Sequence, residues 1–122
     1  MLGGIKVNEV DLSTSRSFLS KYFSPIQKRK RRNDSNLLLR VADCGSGIGR
    51  ISFGLLHSFF QNIELIEPCE QFLEVAKQSS LKMGIRERCT FISAPLQSVQ
   101  LTADRYDAIW IQWVLLSMNF FV

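Results

Sequence analysis

The stretch Arg40-Val41-Ala42-Asp43-Cys44-Gly45-Ser46-Gly47-Ile48-Gly49-Arg50 constrains this chain more than any other. An apolar run from Leu37 to Ala42 ends in an acid, three glycines follow at spacing two, and a helical pattern begins. That is how a buried parallel strand turns sharply into a helix whose N-terminus faces a ligand. Glycine serves where backbone must approach a ligand closely or take a positive φ. The spacing narrows the ligand. A dinucleotide fingerprint, G-x-G-x-x-G, would need glycine at position 50, where Arg50 stands. The pattern present is D-x-G-x-G-x-G. On the stretch alone, an ordinary Gly-rich loop or the nucleotide turn of another α/β fold stays open.

The elements downstream keep to an α/β alternation. The glycine turn leads into a helix with Ile51, Leu55, Leu56, Phe59 and Phe60 facing inward. His57, the only histidine, has no neighbouring acid or nucleophile in sequence and reads as a surface residue. A second strand, Ile63 to Ile66, ends at Glu67, which stands 22 positions after Gly45. At about that spacing such folds place a carboxylate that accepts ribose hydroxyls. Glu67 would equally favour the dipole of the next helix, with Pro68 in its first turn. That helix runs from about Glu70 to Met83 with Phe72, Val75, Ala76 and Met83 inward, and Gly84 is its stop. A short third strand spans Cys89 to Ser93, and a fourth runs from Tyr106 to Trp113.

Before the first strand the pattern is weaker. Ser13-Thr14-Ser15 offers N-caps for a short helix carrying Phe18, Leu19, Tyr22 and Phe23 on one face, which Pro25 ends. Residues 26–36 then read as a polar, basic linker. Lys28-Arg29-Lys30-Arg31-Arg32 carries +5 of a net charge of +4, so the rest of the chain is about −1 and the basicity is local. A solvated loop is the plain reading of that run, and a nuclear-localisation or anion-binding patch the sharper one. At 122 residues and 46% hydrophobic, the chain buries one modest core. Three cysteines, an odd number without C-x-x-C spacing, read as reduced thiols rather than a disulfide framework or zinc site. No signal peptide opens the chain, and the apolar end from Ala108 to Val122 is too short and interrupted to span a membrane.

The D-x-G-x-G-x-G turn resembles the first motif of class I S-adenosylmethionine-dependent methyltransferases. The resemblance then sharpens. Met1-Leu2-Gly3-Gly4, Asp43 through Ile51 and Ile109-Trp110-Ile111-Gln112-Trp113-Val114 look like the protein α-N-terminal methyltransferases, over residues 1–114. It implies a Rossmann-like α/β fold with only the first four of seven strands, in the order 3-2-1-4. It implies transfer of methyl groups from S-adenosylmethionine to the α-amine of proteins beginning X-Pro-Lys or X-Pro-Arg. Gly45 and Arg50 would hold the cofactor's methionine end, Arg50 by pairing its carboxylate. Glu67, Pro68 and Cys69 would take the ribose position, where the family usually has aspartate. Leu96 and Gln97 would meet the adenine, Gln112 would be the contact from the fourth strand, and Leu2 and Trp113 would line the peptide channel.

The sequence departs from this family after Val114, where Leu115-Leu116-Ser117-Met118 replaces a Gly-His-Leu segment. The expected organisation is therefore an N-terminal segment (1–36), a partial cofactor-binding domain (37–114) and a divergent apolar tail (115–122). No residue stands out as the catalytic base, and truncation would leave this chain inactive. The alternative is a non-catalytic cofactor- or peptide-binding fragment, or a regulatory partner of a longer enzyme. The peptide reading requires no nucleic acid, no membrane and no metal. It puts the protein in the cytoplasm or nucleus and leaves self-association possible through an exposed fourth strand.

Overall fold

The computed structural model describes residues 2–33, 38–102 and 104–111. Two compact units divide at Leu38, and the second carries a four-stranded parallel sheet. Its strands are β1 (Arg40–Cys44), β2 (Asn62–Ile66), β3 (Cys89–Ile92) and β4 (Ala108–Ile111). Their order is β3-β2-β1-β4, as the family resemblance implies. Register is fixed by pairs such as Ala42 with Glu64 and Ile109, and Leu65 with Phe91. The two central strands are buried from their second residue onward, the mark of a parallel sheet covered on both faces. β4 alternates instead, with Ile109 and Ile111 about half exposed.

One sheet face carries Ala42, Cys44 and Ile66, against which Ile92, Leu96, Val99, Leu101 and Tyr106 pack. The long connection from β3 to β4 thus contributes its apolar residues to the core rather than hanging free. On the other face α3 (Arg50–Gly54) sits close enough for Ser52 to bond Asp43. This helix is shorter than the sequence pattern indicates. After Gly54 the backbone leaves the helical region at Leu55 (φ −144°, ψ −59°), and one 3-10 turn follows, Leu56–Ser58. The reason is geometric. Leu55-Leu56 and Phe59-Phe60 are adjacent pairs and all four are buried, but neighbours on a helix lie about 100° apart. Breaking the helix lets both members of each pair point inward. Arg88 closes the break by donating to the carbonyls of His57, Phe60 and Gln61 at 2.7–2.9 Å.

In α4 (Glu70–Lys82) the inward face is Leu73, Ala76 and Ser80, whereas Phe72, Val75 and Met83 are 41–48% exposed. The expected stripe is rotated by about one residue. Small Ala76 and Ser80 let the helix lie close, and Ser80 satisfies its hydroxyl on the Lys77 carbonyl. Gly84 ends the helix at φ +72°, as expected for a left-handed cap.

The first unit corrects the sequence reading most. A single helix, α1, spans Leu2–Tyr22, so Ser13-Thr14-Ser15 lies mid-helix and caps nothing. Leu19 and Phe23 are buried while Phe18 and Tyr22 are each 55% exposed. Pro25 does not end helical structure. It sits in the first turn of α2 (Ser24–Asn33), where its missing N–H costs no bond. Only Phe23 interrupts, and helical bonds run across it from Phe23 N–H to the Leu19 carbonyl and from Gln27 N–H to the Phe23 carbonyl. The basic run expected in a linker is therefore helical. Among the described residues no helix is long and apolar enough to cross a membrane.

Candidate functional site

The glycine turn leaves β1 at its C-terminal end and is bonded to the end of β2. The N–H groups of Gly45 and Ser46 both donate to the Ile66 carbonyl, at 2.8 and 3.1 Å. Gly49 N–H donates to the Ser46 carbonyl at 3.0 Å and closes the turn. Two glycines are required for separate reasons. At Gly49 (φ +92°) an added Cβ would stand 2.2 Å from the Phe53 ring. At Gly47 (φ +58°) a Cβ would meet nothing within 4 Å, so the turn opens there onto free space. That opening is what a ligand approaching the backbone needs.

Glu67 binds this turn to the next helix. One carboxylate oxygen accepts from Gly47 N–H at 3.0 Å, and the other from Cys69 N–H at 2.9 Å. Cys69 is the residue before α4, so the same carboxylate occupies the positive end of that helix. Its own backbone is anchored to the third strand, with Glu67 N–H on the Ile92 carbonyl and Ala94 N–H on the Glu67 carbonyl. The side chain is buried but sits at the C-terminal rim of the sheet, where open α/β folds bind ligands. A carboxylate offers about four acceptor sites, of which these bonds use two. The remainder suit a pair of hydroxyl donors.

Asp43, the acid that opens the motif, has a different task. It is buried and accepts from the Ser52 hydroxyl at 2.7 Å. Burial raises its pKa to about 6, a rise that the Ser52 bond and the Arg50 charge partly offset and that Glu67 reinforces. Arg50, Asp43 and Glu67 are thus electrostatically coupled beside the turn. Ser46 has a buried hydroxyl oxygen without a hydrogen-bond partner. The Cys44 thiol, buried at the strand end, is pushed up to about 11, mainly by desolvation and then by Asp43. It stays protonated and is no nucleophile.

The structure brings Gly45, Glu67, Cys69 and Arg50 to one end of the sheet. Pro68, between Glu67 and Cys69, is exposed. Leu96 packs against Ala42, Cys44 and Ile66, so it neighbours the same strand ends, and Gln97 beside it is exposed. Gln112, Trp113 and the side chain of Leu2 lie outside the described residues. His57 sits in the turn preceding β2, at the opposite end of the strands. Asp43 and Ser46 are site residues that the sequence reading passed over. The motif marks Asp43 as its opening acid, whereas Ser46 stands at one of its unspecified positions and carries no such signal. A concavity of about 310 Å³ lies between α4 and β3, lined by Glu70, Leu73, Glu74, Lys77, Phe91 and Ser93. Among the described residues no cluster could hold a metal ion.

A second carboxylate on the same strand belongs to the frame. Glu64 is buried on β2 and accepts from Arg105 Nε at 3.1 Å and Nη2 at 2.6 Å, from Arg40 at 3.5 Å and from the Tyr106 hydroxyl. The Glu64 bond raises the Arg105 pKa further, and desolvation, then Glu64, raises that of Tyr106. Asp107 completes the seam, with the Arg40 and Asp107 main chains and the Asp107 carboxylate bonded at 2.8 Å. The connection that carries Leu96 and Gln97 is thereby pinned to the sheet just before β4.

A parallel sheet in this order, with a glycine turn and a carboxylate at adjacent strand ends, defines a Rossmann-like domain of the methyltransferase class. A SAM-dependent methyltransferase of Leishmania major superposes with a TM-score of 0.75 at 31% identity, over 97% of this chain and 43% of that one. A cyclase with 21% identity shares the fold at a TM-score of 0.54, so the fold by itself does not choose the reaction. The sequence is decisive at the level of family. The AdoMet dependent proline di-methyltransferase family matches residues 1–119, and the chain belongs to it. It is 39% identical to alpha N-terminal protein methyltransferase 1 of Arabidopsis thaliana, over 94% of this chain and 42% of that protein. It is 34% identical to N-terminal Xaa-Pro-Lys N-methyltransferase 1 of Homo sapiens, over 94% and 49%. The chain therefore spans less than half the length of these relatives.

Proposed function

We propose that this chain binds S-adenosylmethionine at the glycine turn and serves methylation of the α-amine of proteins beginning X-Pro-Lys or X-Pro-Arg. The observation that carries the cofactor reading is the Gly47-to-Glu67 bond. It joins the turn of β1 to a carboxylate at the end of β2 and leaves acceptor sites on that carboxylate unused. The family membership supports the reaction. Bound there, the cofactor supplies a methyl group on an electrophilic sulfonium centre. Glu67 would accept the ribose hydroxyls, flanked by Pro68 and Cys69. Arg50 would pair the methionine carboxylate beside Gly45, and Leu96 with Gln97 would border the adenine. Gln112 would add a cofactor contact, and Leu2 and Trp113 would line the peptide channel.

An α-amine has a pKa near ~8, so the site needs orientation and a modest base rather than a strong one. The acids beside the turn are committed elsewhere: Asp43 to Ser52, and Glu67 to two backbone N–H groups. Cys44, Cys69 and Cys89 are free thiols, in keeping with a reducing compartment, the cytoplasm or nucleus. Self-association through β4 belongs to the same proposal, on the half exposure of Ile109 and Ile111. A molar mass that stays monomeric in light scattering at high concentration removes it.

Calorimetric titration with S-adenosylhomocysteine tests the cofactor site. Binding is expected, and Arg50→Ala should weaken it by about 1.5–3 kcal/mol, the worth of a charge-assisted bond. Unchanged affinity removes Arg50 from the site. Radiolabelled methyl transfer to an X-Pro-Lys peptide, with the α-acetylated peptide as control, tests the reaction. Labelling of both peptides alike, above background, would overturn the α-amine assignment.

A further inference from the structure

The charge of this protein is segregated. Residues 1–38 hold eight basic and three acidic residues, net +5, whereas the sheet-bearing unit holds seven and eight, net −1. Between Lys21 and Asn33 there are six cations and no acid. Five of them are consecutive, from Lys28 to Arg32, and all five lie in α2. At 100° per residue, five consecutive positions encircle a helix instead of forming a stripe. The side chains of Lys28, Arg29, Lys30 and Arg32 are all exposed. Cations near a helix C-terminus are favoured by its dipole, but that effect calls for one or two. Here Lys28 with Arg31 and Arg32, and Arg29 with Arg32, are like-charge pairs at helical spacing, which oppose the helix.

We propose that α2 is a docking element for the phosphate backbone of duplex nucleic acid, binding without sequence preference. The arrangement of charge decides among polyanions. A helix lying on an acidic protein face engages only the cations turned toward it, and an extended-peptide groove would require α2 to unwind. An anionic membrane calls for an apolar face beside the basic one, and the only apolar residue in α2 besides Pro25 is Ile26. A duplex instead presents phosphates on both sides of a groove about 12 Å wide, close to the diameter of a helix with its side chains. Cations on all sides of such a helix find partners. The exposed polar side chains described in α2 are cations, which meet phosphates whatever the sequence, and Gln27 is half-buried.

Fluorescence anisotropy of the 122-residue chain with two labelled 20-base-pair duplexes of unrelated sequence, between 50 and 200 mM NaCl, tests this. Four or five neutralised phosphates give a log–log salt slope of about −4, equal for both duplexes. The variant with Lys28, Arg29, Lys30 and Arg32 all replaced by Gln should lose about tenfold or more in affinity, and its slope should fall to about −1 or shallower. Lys28→Arg with Lys30→Arg, which keeps the charge, should keep both values. Absence of binding at 50 mM salt overturns the proposal, as does a quadruple variant that binds like the parent. Tighter binding to poly-glutamate than to duplex would reassign α2 to an acidic protein. Co-sedimentation with phosphatidylserine-containing vesicles in the absence of duplex binding would reassign it to a membrane.

Discussion

Glu64 and Glu67 lie three residues apart on one chain segment, both buried, and they are treated in opposite ways. Two charged guanidinium groups and a neutral phenol converge on Glu64. Glu67, among the described residues, accepts only backbone N–H groups, from Gly47 and Cys69. A buried carboxylate costs several kcal/mol unless its charge is compensated. Glu64 meets that cost with counter-charges from Arg40, on β1, and from Arg105 on the connection to β4, so it fastens distant segments and has little capacity left. Glu67 meets it with peptide dipoles and a helix N-terminus, which leaves lone pairs directed at the rim of the sheet. A carboxylate satisfied by cations is part of the frame, and one satisfied by backbone alone is available to a ligand.

The largest effect should come from breaking the frame. Glu64→Gln removes the charge that holds Arg105 and Arg40, and turns one acceptor into a donor facing groups that also donate. Loss of charged hydrogen bonds of this kind costs about 2–3 kcal/mol, read as a fall in denaturation midpoint without a change in slope. A variant as stable as the parent would mean that the seam is decorative. The next effect is smaller and depends on pH. Asp43 has its pKa raised to about 6 in the folded protein, against an ordinary 3.8, mainly by desolvation. Between those values the folded state holds a proton that the unfolded chain has released, so its contribution to stability falls as pH rises from about 4 to 6. The swing should be on the order of 2 kcal/mol. Asp43→Asn keeps an acceptor for Ser52 and should flatten the profile over that window. Parallel profiles for the two proteins would show that Asp43 ionises as freely in the fold as outside it.

How far the sequence could be read follows the same division. The turn was legible because glycines at positive φ and an acid at a strand end are dictated by backbone sterics and ligand approach, both of which leave residue-level marks. Strand order came with the family resemblance and not from any local pattern. Glu64 was invisible because its partners, Arg105 and Tyr106, are 41 and 42 positions away, and no local pattern announces such a pairing. The first unit was misread for another reason. Gly3 and Gly4 depress helix propensity, Ser13 to Ser15 imitate a cap, and Pro25 imitates a stop, yet α1 and α2 run through all of these. In α4 Ala76 was read inward correctly, but Phe72, Val75 and Met83 outrank Ser80 in hydrophobicity and drew the expected stripe away from Leu73 and Ser80. The inward face combines large Leu73 with small Ala76 and Ser80, which a ranking by hydrophobicity does not pick out.

The smallest expected change in stability, and the sharpest test of the comparison, is Glu67→Gln. The amide can still accept from one of the two N–H groups, Gly47 or Cys69, but not from both, since its other terminus is a donor. Stability should fall by about 1 kcal/mol, the worth of one such bond, and by less than for Glu64→Gln. Affinity for S-adenosylhomocysteine should fall by more. Two ribose hydroxyls can donate to a carboxylate, whereas the amide leaves one of them facing an N–H. A tenfold loss, about 1.4 kcal/mol, is expected in calorimetric titration. The two substitutions should therefore cross over, Glu64→Gln costing stability and Glu67→Gln costing affinity. If Glu67→Gln lowers the unfolding midpoint as much as Glu64→Gln and leaves affinity untouched, Glu67 is a second fastener. The ribose would then need another acceptor at the end of the sheet.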